Sequence, residues 1–178
     1  MHRYIIPSQI TAEQMKVKRK QLKLTQRELA ELIGVSKPTV ERWETSDRPI
    51  TGPVVLLLHM LTPEKVAALT VPEQKLPIRL WYMYKDEVCT LIDVDERRQI
   101  VAIRNYTKNR QFMAFGANEH PSFEDYEEFL KSRCFAESRD KMKLILRDLN
   151  LPFYDPFMII EKTEGRMAED DFWIRVER

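Results

Sequence analysis

Three histidines, two cysteines and several clustered carboxylates are the side chains from which a catalytic or metal site would have to be built. His2, His59 and His120 are far apart, His59 inside the apolar run GPVVLLLHML and His120 before Pro121 in a loop-like stretch. His59 therefore reads as a packing residue rather than a ligand. Cys89 and Cys134 form no C-x-x-C pair, which argues against a structural zinc site and against a disulfide scaffold. Cys89 alternates within a strand-like stretch and reads as a small core residue. Cys134, between Arg133 and Phe135, has no neighbouring base to activate it. Glu124, Asp125, Glu127 and Glu128 fall where a helix needs a wet face. Glu164-Gly165-Arg166 and Glu169-Asp170-Asp171 precede Phe172-Trp173, and two readings stay open there: a peptide or small-molecule site, or a capped terminal turn. No nucleophile has both a base and an orienting group at hand, so the expectation is a binding protein that is not an enzyme and needs no cofactor or metal.

What the sequence does concentrate is charge. The net charge is only +1, yet residues 1–62 hold ten Lys/Arg against six Asp/Glu, and residues 63–178 hold nineteen against twenty-two. The segment 16–23, KVKRKQLK, has five cations and no anion. A basic first part is the electrostatic footprint of a polyanion partner; the bland alternative is a solvated helix face. With 43% hydrophobic and 32% charged residues the composition is globular. No run approaches the ~20 apolar residues of a membrane helix. The start, MHRYIIPSQIT, lacks a secretory apolar region. A cytoplasmic chain with no membrane partner is the expectation.

The elements that would position a polyanion contact lie in Thr25–Glu44. Helices are expected over Gln26–Ile33 and Lys37–Glu44. Thr25 caps the first, with Glu28 three residues on as its box partner. Ser36 caps the second, and Pro38 sits in its first turn, where a missing N–H costs nothing. Gly34 stands where the first helix must stop and the chain must turn left-handed. Leu29, Ala30 and Ile33 share one face, Val40 and Trp43 supply the inner face of the second helix, and Val35 plugs the corner. Two short helices crossing steeply form the unit whose second member enters a major groove.

The residues LTQRELAELIGVSKPTVERWE, followed by Gly52-Pro-Val-Val-Leu-Leu-Leu-His-Met-Leu61, resemble the Cro/repressor-like (Xre) class of helix-turn-helix regulators. Within that class the pairing of Trp43-Glu44 with a GP-initiated closing helix is most similar to the DNA-binding half of MqsA- and HigA-type antitoxins. The likeness spans about residues 8 to 62, and the zinc-binding cysteine domain of MqsA has no counterpart here. The resemblance implies base contacts from Lys37, Thr39 and Arg42, with Arg42 best suited to a bidentate guanine contact, and from Gln26 a contact to a base edge or a phosphate. Pro38 departs from the usual polar residue and offers a thymine-methyl contact or none. Lys16, Arg27 and Arg48, with Ser36 at the start of the recognition helix, are the phosphate candidates. An Arg19–Glu44 pair is also implied, tying the first helix to the end of the recognition helix; the alternative is two independent surface charges. A single unit of this size buries little surface, so a homodimer on a palindromic double-stranded operator is expected, joined through the closing helix or through the second domain.

Other elements follow from periodicity and caps. Residues 1–10 hold a short extended arm over Tyr4–Pro7, free to pair with a partner chain or the second domain. Thr11 caps a helix to about Gln21, with Gln14 as box partner and Met15 and Leu22 inward. Pro63–Leu69 forms a short helix capped by Thr62, and 71–77 reads as a linker. Beyond it the period changes. Ile78–Tyr84, Glu87–Val94 and Gln99–Tyr106 read as an antiparallel meander, with Phe112–Phe115 as a short fourth strand. Ser122 and Ser138 cap two helices, Asn150 stops the second, and the aromatic-rich C-terminal stretch packs back on the sheet.

The fold expected is thus two domains: an all-α helix-turn-helix bundle of about five helices over 1–62, a short helix and linker over 63–77, and an α+β domain with a small antiparallel sheet over 78–178. The last part resembles small proteins found near kinase toxins of the HipA type, and no catalytic residue carries over. The functional expectation is a dimeric, sequence-specific repressor of the antitoxin-like autorepressor type, its second domain holding a toxin protein. The alternative is a one-component regulator with a small molecule or peptide in that domain.

Overall fold

The computed structural model describes residues 5–178, so His2 and the first residue of the expected arm, Tyr4, lie outside the described residues. Its contacts separate into two compact units, Met1–Val71 and Pro72–Arg178.

Among the described residues the first unit has five helices: α1 Ala12–Gln21, α2 Gln26–Ile33, α3 Lys37–Thr45, α4 Pro53–Met60 and α5 Pro63–Leu69. It is not purely helical, because β1 (Gln9–Ile10) pairs antiparallel with β2 (Ile50–Thr51). β1, just after the expected arm, pairs within its own unit. The caps of α1 and α2 are reciprocal boxes, Thr11 with Gln14 and Thr25 with Glu28. Gly34 ends α2 at φ +70°, a left-handed conformation that costs any residue with a Cβ. Ser36 departs from expectation. Its hydroxyl makes no cap bond to the helix backbone and instead meets the Thr39 hydroxyl at 2.9 Å. Two side chains able to cap compete for each other there, and the backbone carbonyl of Ser36 takes the Thr39 N–H.

Met15, Leu29, Ala30, Val40, Ile50 and Leu58 form the core behind the two crossing helices, with Trp43 and Val35 packed at its margin. Leu22, Leu61 and Val66 form a second cluster that fastens α5 to this unit. Burying one such aliphatic side chain contributes roughly 1.5–3 kcal/mol. A handful of them is what holds α3 in place.

The second unit is a four-stranded antiparallel sheet, ordered β5-β4-β3-β6, with three helices. The strands are β3 Ile78–Tyr84, β4 Glu87–Asp95, β5 Ile100–Asn105 and β6 Phe172–Glu177; the helices are α6 Phe123–Ser132, α7 Met142–Asp148 and α8 Pro156–Thr163. The fourth strand is therefore not Phe112–Phe115. Those residues follow a 3-10 turn, Arg110–Phe112, and Phe112, Ala114 and Phe115 pack on the core as loop. The C-terminal stretch supplies the strand instead, registering Tyr84 against Phe172 and Arg79 against Glu177.

Leu80, Tyr82, Ile92, Val94 and Ile174 on one sheet face meet Tyr126, Phe129 and Leu130 of α6 and Phe157, Ile159 and Ile160 of α8. The other face carries Trp81, Met83 and Leu91, with Tyr106 and Trp173 beside them. Ser122 and Asp125 form the expected box at α6. Ser138 does not cap α7: that helix starts only after Lys141, which is left-handed at φ +58°. Asn150 takes the expected left-handed stop.

Arg133 ties the end of α6 to the turn before β6. Its guanidinium donates to Asp170 at 2.7 and 3.0 Å, to the Gly165 carbonyl at 2.9 and 3.1 Å and to the Phe172 carbonyl at 3.0 Å. Gly165 is needed there, since at φ +58° a Cβ would stand 3.3 Å from the Cβ of Arg133. The acidic cluster before Phe172 is thereby part of a fastened turn.

Candidate nucleic-acid interface

The recognition helix α3 turns Val40 and Trp43 inward, Val40 with no exposed surface at all. Lys37, Pro38 and Arg42 are exposed on its outward side, Thr39 and Glu41 are half-buried. The helix is short, so its direction depends on what holds its ends. At the start, Pro38 fixes the first turn and Gly34 fixes the approach. At the end, Glu44 turns in, its side chain 3% exposed.

Glu44 is the centre of a small polar network. Arg19 donates to it through Nε at 2.6 Å and Nη2 at 3.0 Å, and through Nη1 to the Leu24 carbonyl at 2.9 Å. Gln26 Nε2 donates to the same carboxylate at 2.9 Å. Three elements are thus locked together: α1 through Arg19, the first residue of α2 through Gln26, and the end of α3 through Glu44. Burial alone would raise the Glu44 pKa. The hydrogen bonds from Arg19 and Gln26 and the charges of Arg19 and Lys16 outweigh it, and the carboxylate titrates below its ordinary value. The hydrogen bond to Glu44, against the cost of burial, raises the already high pKa of Arg19. Both groups stay ionised, as a buried pair must be to repay its desolvation.

The expected Arg19–Glu44 pair is therefore formed and is not two separate surface charges. The Gln26 bond was not foreseen, and no local signal points to it, because the two residues are 18 positions apart. It has a consequence. One amide N–H of Gln26 is committed to Glu44, leaving Oε1 and the second N–H as the groups the side chain still has to offer.

The other candidates fall into two groups. Lys37 pairs with Glu41 one turn on at 2.8 Å, and Arg27 pairs with Glu31 at 3.0 Å; the second pair is well exposed and the first partly so. Such pairs are worth about 0.3–0.5 kcal/mol and exchange readily for a phosphate. Arg42 and Arg48 are exposed, and among the described residues their guanidinium groups make no ion pair. Arg48 sits in the turn after α3, where its N–H donates to Ser46 Oγ at 3.1 Å. Lys16 is half-buried on α1, close enough for its charge to act on Glu44. Ser36 is exposed at the start of α3, with its hydroxyl on Thr39.

Elsewhere the side chains capable of chemistry are dispersed or sealed. Among the described residues no three His, Cys, Asp or Glu side chains gather as a metal site would require. His59 is exposed on α4 and not a packing residue, because that helix buries Val55 and Leu58 instead. Cys89 is 2% exposed in β4. Cys134 is buried, burial pushes its thiol up to about 12, and its Sγ rests on the Pro156 carbonyl at 3.4 Å. A thiol so placed stays protonated and inert. Among the described residues, no helix is long and apolar enough to cross a membrane.

No curated protein and no solved structure matches the chain. Residues 15–69, just under a third of the chain, match the family model described as helix-turn-helix, and this stretch runs from the buried Met15 of α1 to the end of α5, so the basic first unit carries a helix-turn-helix of the DNA-binding kind.

Proposed function

We propose that the chain is a sequence-specific regulator of transcription that binds a palindromic operator as a homodimer and represses from it. The observation that carries this reading is the outward side of α3. Arg42 stands there exposed and without an ion pair among the described residues, on a helix whose far end is clamped by Glu44 to Arg19 and Gln26. A guanidinium presented on a rigid element is what a bidentate guanine contact requires. Gln26, Lys37 and Thr39 flank it, Pro38 offers only an apolar contact, and Arg27, Arg48, Lys16 and the start of α3 at Ser36 take phosphates.

A dimer suits the closing helix, where Leu56, Leu57 and Met60 are 42, 39 and 54% exposed on a segment otherwise engaged in the core. In the antitoxin-like form of the proposal, residues 72–178 hold a toxin protein while the first unit represses the shared operon in the cytoplasm. A small-molecule sensor is the less supported alternative. Trp81 is buried and the Tyr84 ring packs on Phe112 and Phe172 at 4.5 and 4.9 Å, whereas Trp173 lines an open, polar hollow with Lys85, Arg166, Asp170 and Asp171, which is what that alternative has in its favour. Nothing in this reading calls for catalysis.

Selection of bound duplexes from a random pool, paired with the solution mass of the complex, tests it. A palindromic consensus bound by two chains is expected. Arg42→Ala should then cost about 1–3 kcal/mol and relax one base position. A uniform loss over all sequences moves Arg42 to the backbone, and failure to enrich any sequence removes the regulator.

A further inference from the structure

The four-stranded sheet has two edges, and they are finished differently. On β6 the outward groups of its first half are engaged: the Phe172 N–H donates to Asp170 at 3.0 Å, the Phe172 carbonyl accepts from Arg133 at 3.0 Å, and the Ile174 N–H donates to the Glu164 carbonyl at 2.7 Å. On β5 the Tyr106 N–H points inward to the Cys89 carbonyl at 2.9 Å. Backbone direction alternates along a strand, so Arg104 and Ala102 also point inward, and Val101, Ile103 and Asn105 turn their N–H and C=O outward. Among the described residues no hydrogen bond reaches those outward groups. The strand has no proline, a common protection of an edge.

Charge distinguishes the same edge. Residues 96–110 hold five Lys/Arg and one Asp/Glu, whereas the rest of residues 72–178 holds thirteen against twenty. Arg97 and Arg98 lie in the turn before β5, Arg104 on it, Lys108 and Arg110 just after it. Cations therefore mark both ends of a strand about 20 Å long. Two copies of this edge pairing antiparallel would bring the 97–98 end of one chain against the 108–110 end of the other, like against like, which disfavours a second copy as the occupant.

We infer that the outer edge of β5 is a docking strand for an extended, acidic segment of a protein partner, which adds as a fifth strand and sets its carboxylates against Arg97, Arg98, Lys108 and Arg110. The main chain of the segment supplies the hydrogen bonds that Val101, Ile103 and Asn105 lack, and the charges supply register and selectivity. This deepens the reading of residues 72–178 as the partner-binding unit.

The test uses the full chain and a short, end-capped peptide alternating Val and Glu, followed by amide hydrogen exchange. The peptide should slow exchange at Val101, Ile103 and Asn105 by at least about tenfold and leave Ala102 and Arg104 unchanged. The same peptide N-methylated at alternate residues should give no protection, and neither should its Val-Lys counterpart. Arg97→Glu with Arg98→Glu should weaken binding about tenfold; the peptide controls do not touch the protein, so a folding defect in that variant leaves the test intact. Peptide binding without protection of the three amides overturns the inference. So does protection by a thymidine oligonucleotide in its place, or protection that rises with protein concentration alone. A partner protein that binds residues 72–178 while these amides stay unprotected overturns the edge and spares the partner reading, and DNA binding is untouched by either result.

Discussion

Glu44→Ala removes the centre of the polar network that sets the recognition helix, and the structure fixes what the loss should cost. The carboxylate is 3% exposed and accepts from Arg19 Nε, Arg19 Nη2 and Gln26 Nε2. Truncation leaves the Arg19 guanidinium, 13% exposed, with only the Leu24 carbonyl as partner. Breaking one side of a buried pair costs about 3–5 kcal/mol in general. The retained carbonyl bond and the partial access of Arg19 to water bring the expectation here to about 2–4 kcal/mol. Because the folded carboxylate titrates below its unfolded value of about 4.3, the network contributes in full above that pH and is lost as pH falls through the depressed folded value. The stability difference between wild type and Glu44→Ala should therefore be constant near neutrality and shrink in acid.

The assay is urea unfolding of the full chain followed residue by residue by NMR, reading only α1, α2 and α3, since tryptophan emission would mix Trp43 with Trp81 and Trp173 of the other unit. Arg19→Met with Glu44→Met, which leaves no buried charge, should recover most of the loss. A single-variant loss under about 1 kcal/mol, the size of a surface pair, or a loss that persists unchanged in acid, would refute the reasoning.

Three further outcomes are expected. Gly34→Ala should cost about 1 kcal/mol through backbone strain alone, because its left-handed φ is unfavourable while nothing lies within 4 Å of the new Cβ; denaturant midpoints of the first unit report it. Arg133→Met should destabilise the second unit by about 2–4 kcal/mol by stranding two carbonyls and Asp170, and Arg133→Lys should not restore it, since one ammonium cannot span that fork; urea unfolding of β6 resonances measures both. Tyr126→Phe should be neutral or stabilising by up to about 1 kcal/mol, because the Tyr126 hydroxyl is buried without a hydrogen-bond partner among the described residues; a clear loss of thermal stability would mean that a partner for it exists.

Local signals in the sequence carried much of the fold. The boxes at Thr11, Thr25 and Ser122 and the left-handed stop at Gly34 need only neighbours three or four residues away, and each forms as its residue types dictate. Three β-strands were visible in their alternation. What stayed hidden depends on distant partners. Phe172–Glu177 is amphipathic enough to be a strand, but only Arg79–Tyr84, some ninety residues earlier, makes it one. The two-residue ladder of Gln9–Ile10 with Ile50–Thr51 is too short for any pattern. Lys141 carries no mark of a left-handed start, so Ser138 was the more inviting cap. Pro156–Thr163 escaped because its start signal, Asp155 before Pro156, follows closely on Pro152 and was masked by it. At the candidate interface the residue types pointed to Arg42 and to Arg19 with Glu44, while Gln26 gave no sign that half its amide is spent on Glu44.

The most direct measurement is titration of the selected duplex into the isotope-labelled full chain, read by amide NMR at two salt concentrations. Amide shifts concentrated at Gln26, Arg27 and residues 36–42, weakening steeply with salt as phosphate contacts are screened, are the predicted result. Shifts confined to residues 72–178, with the outward side of α3 unmoved at saturation, would contradict it.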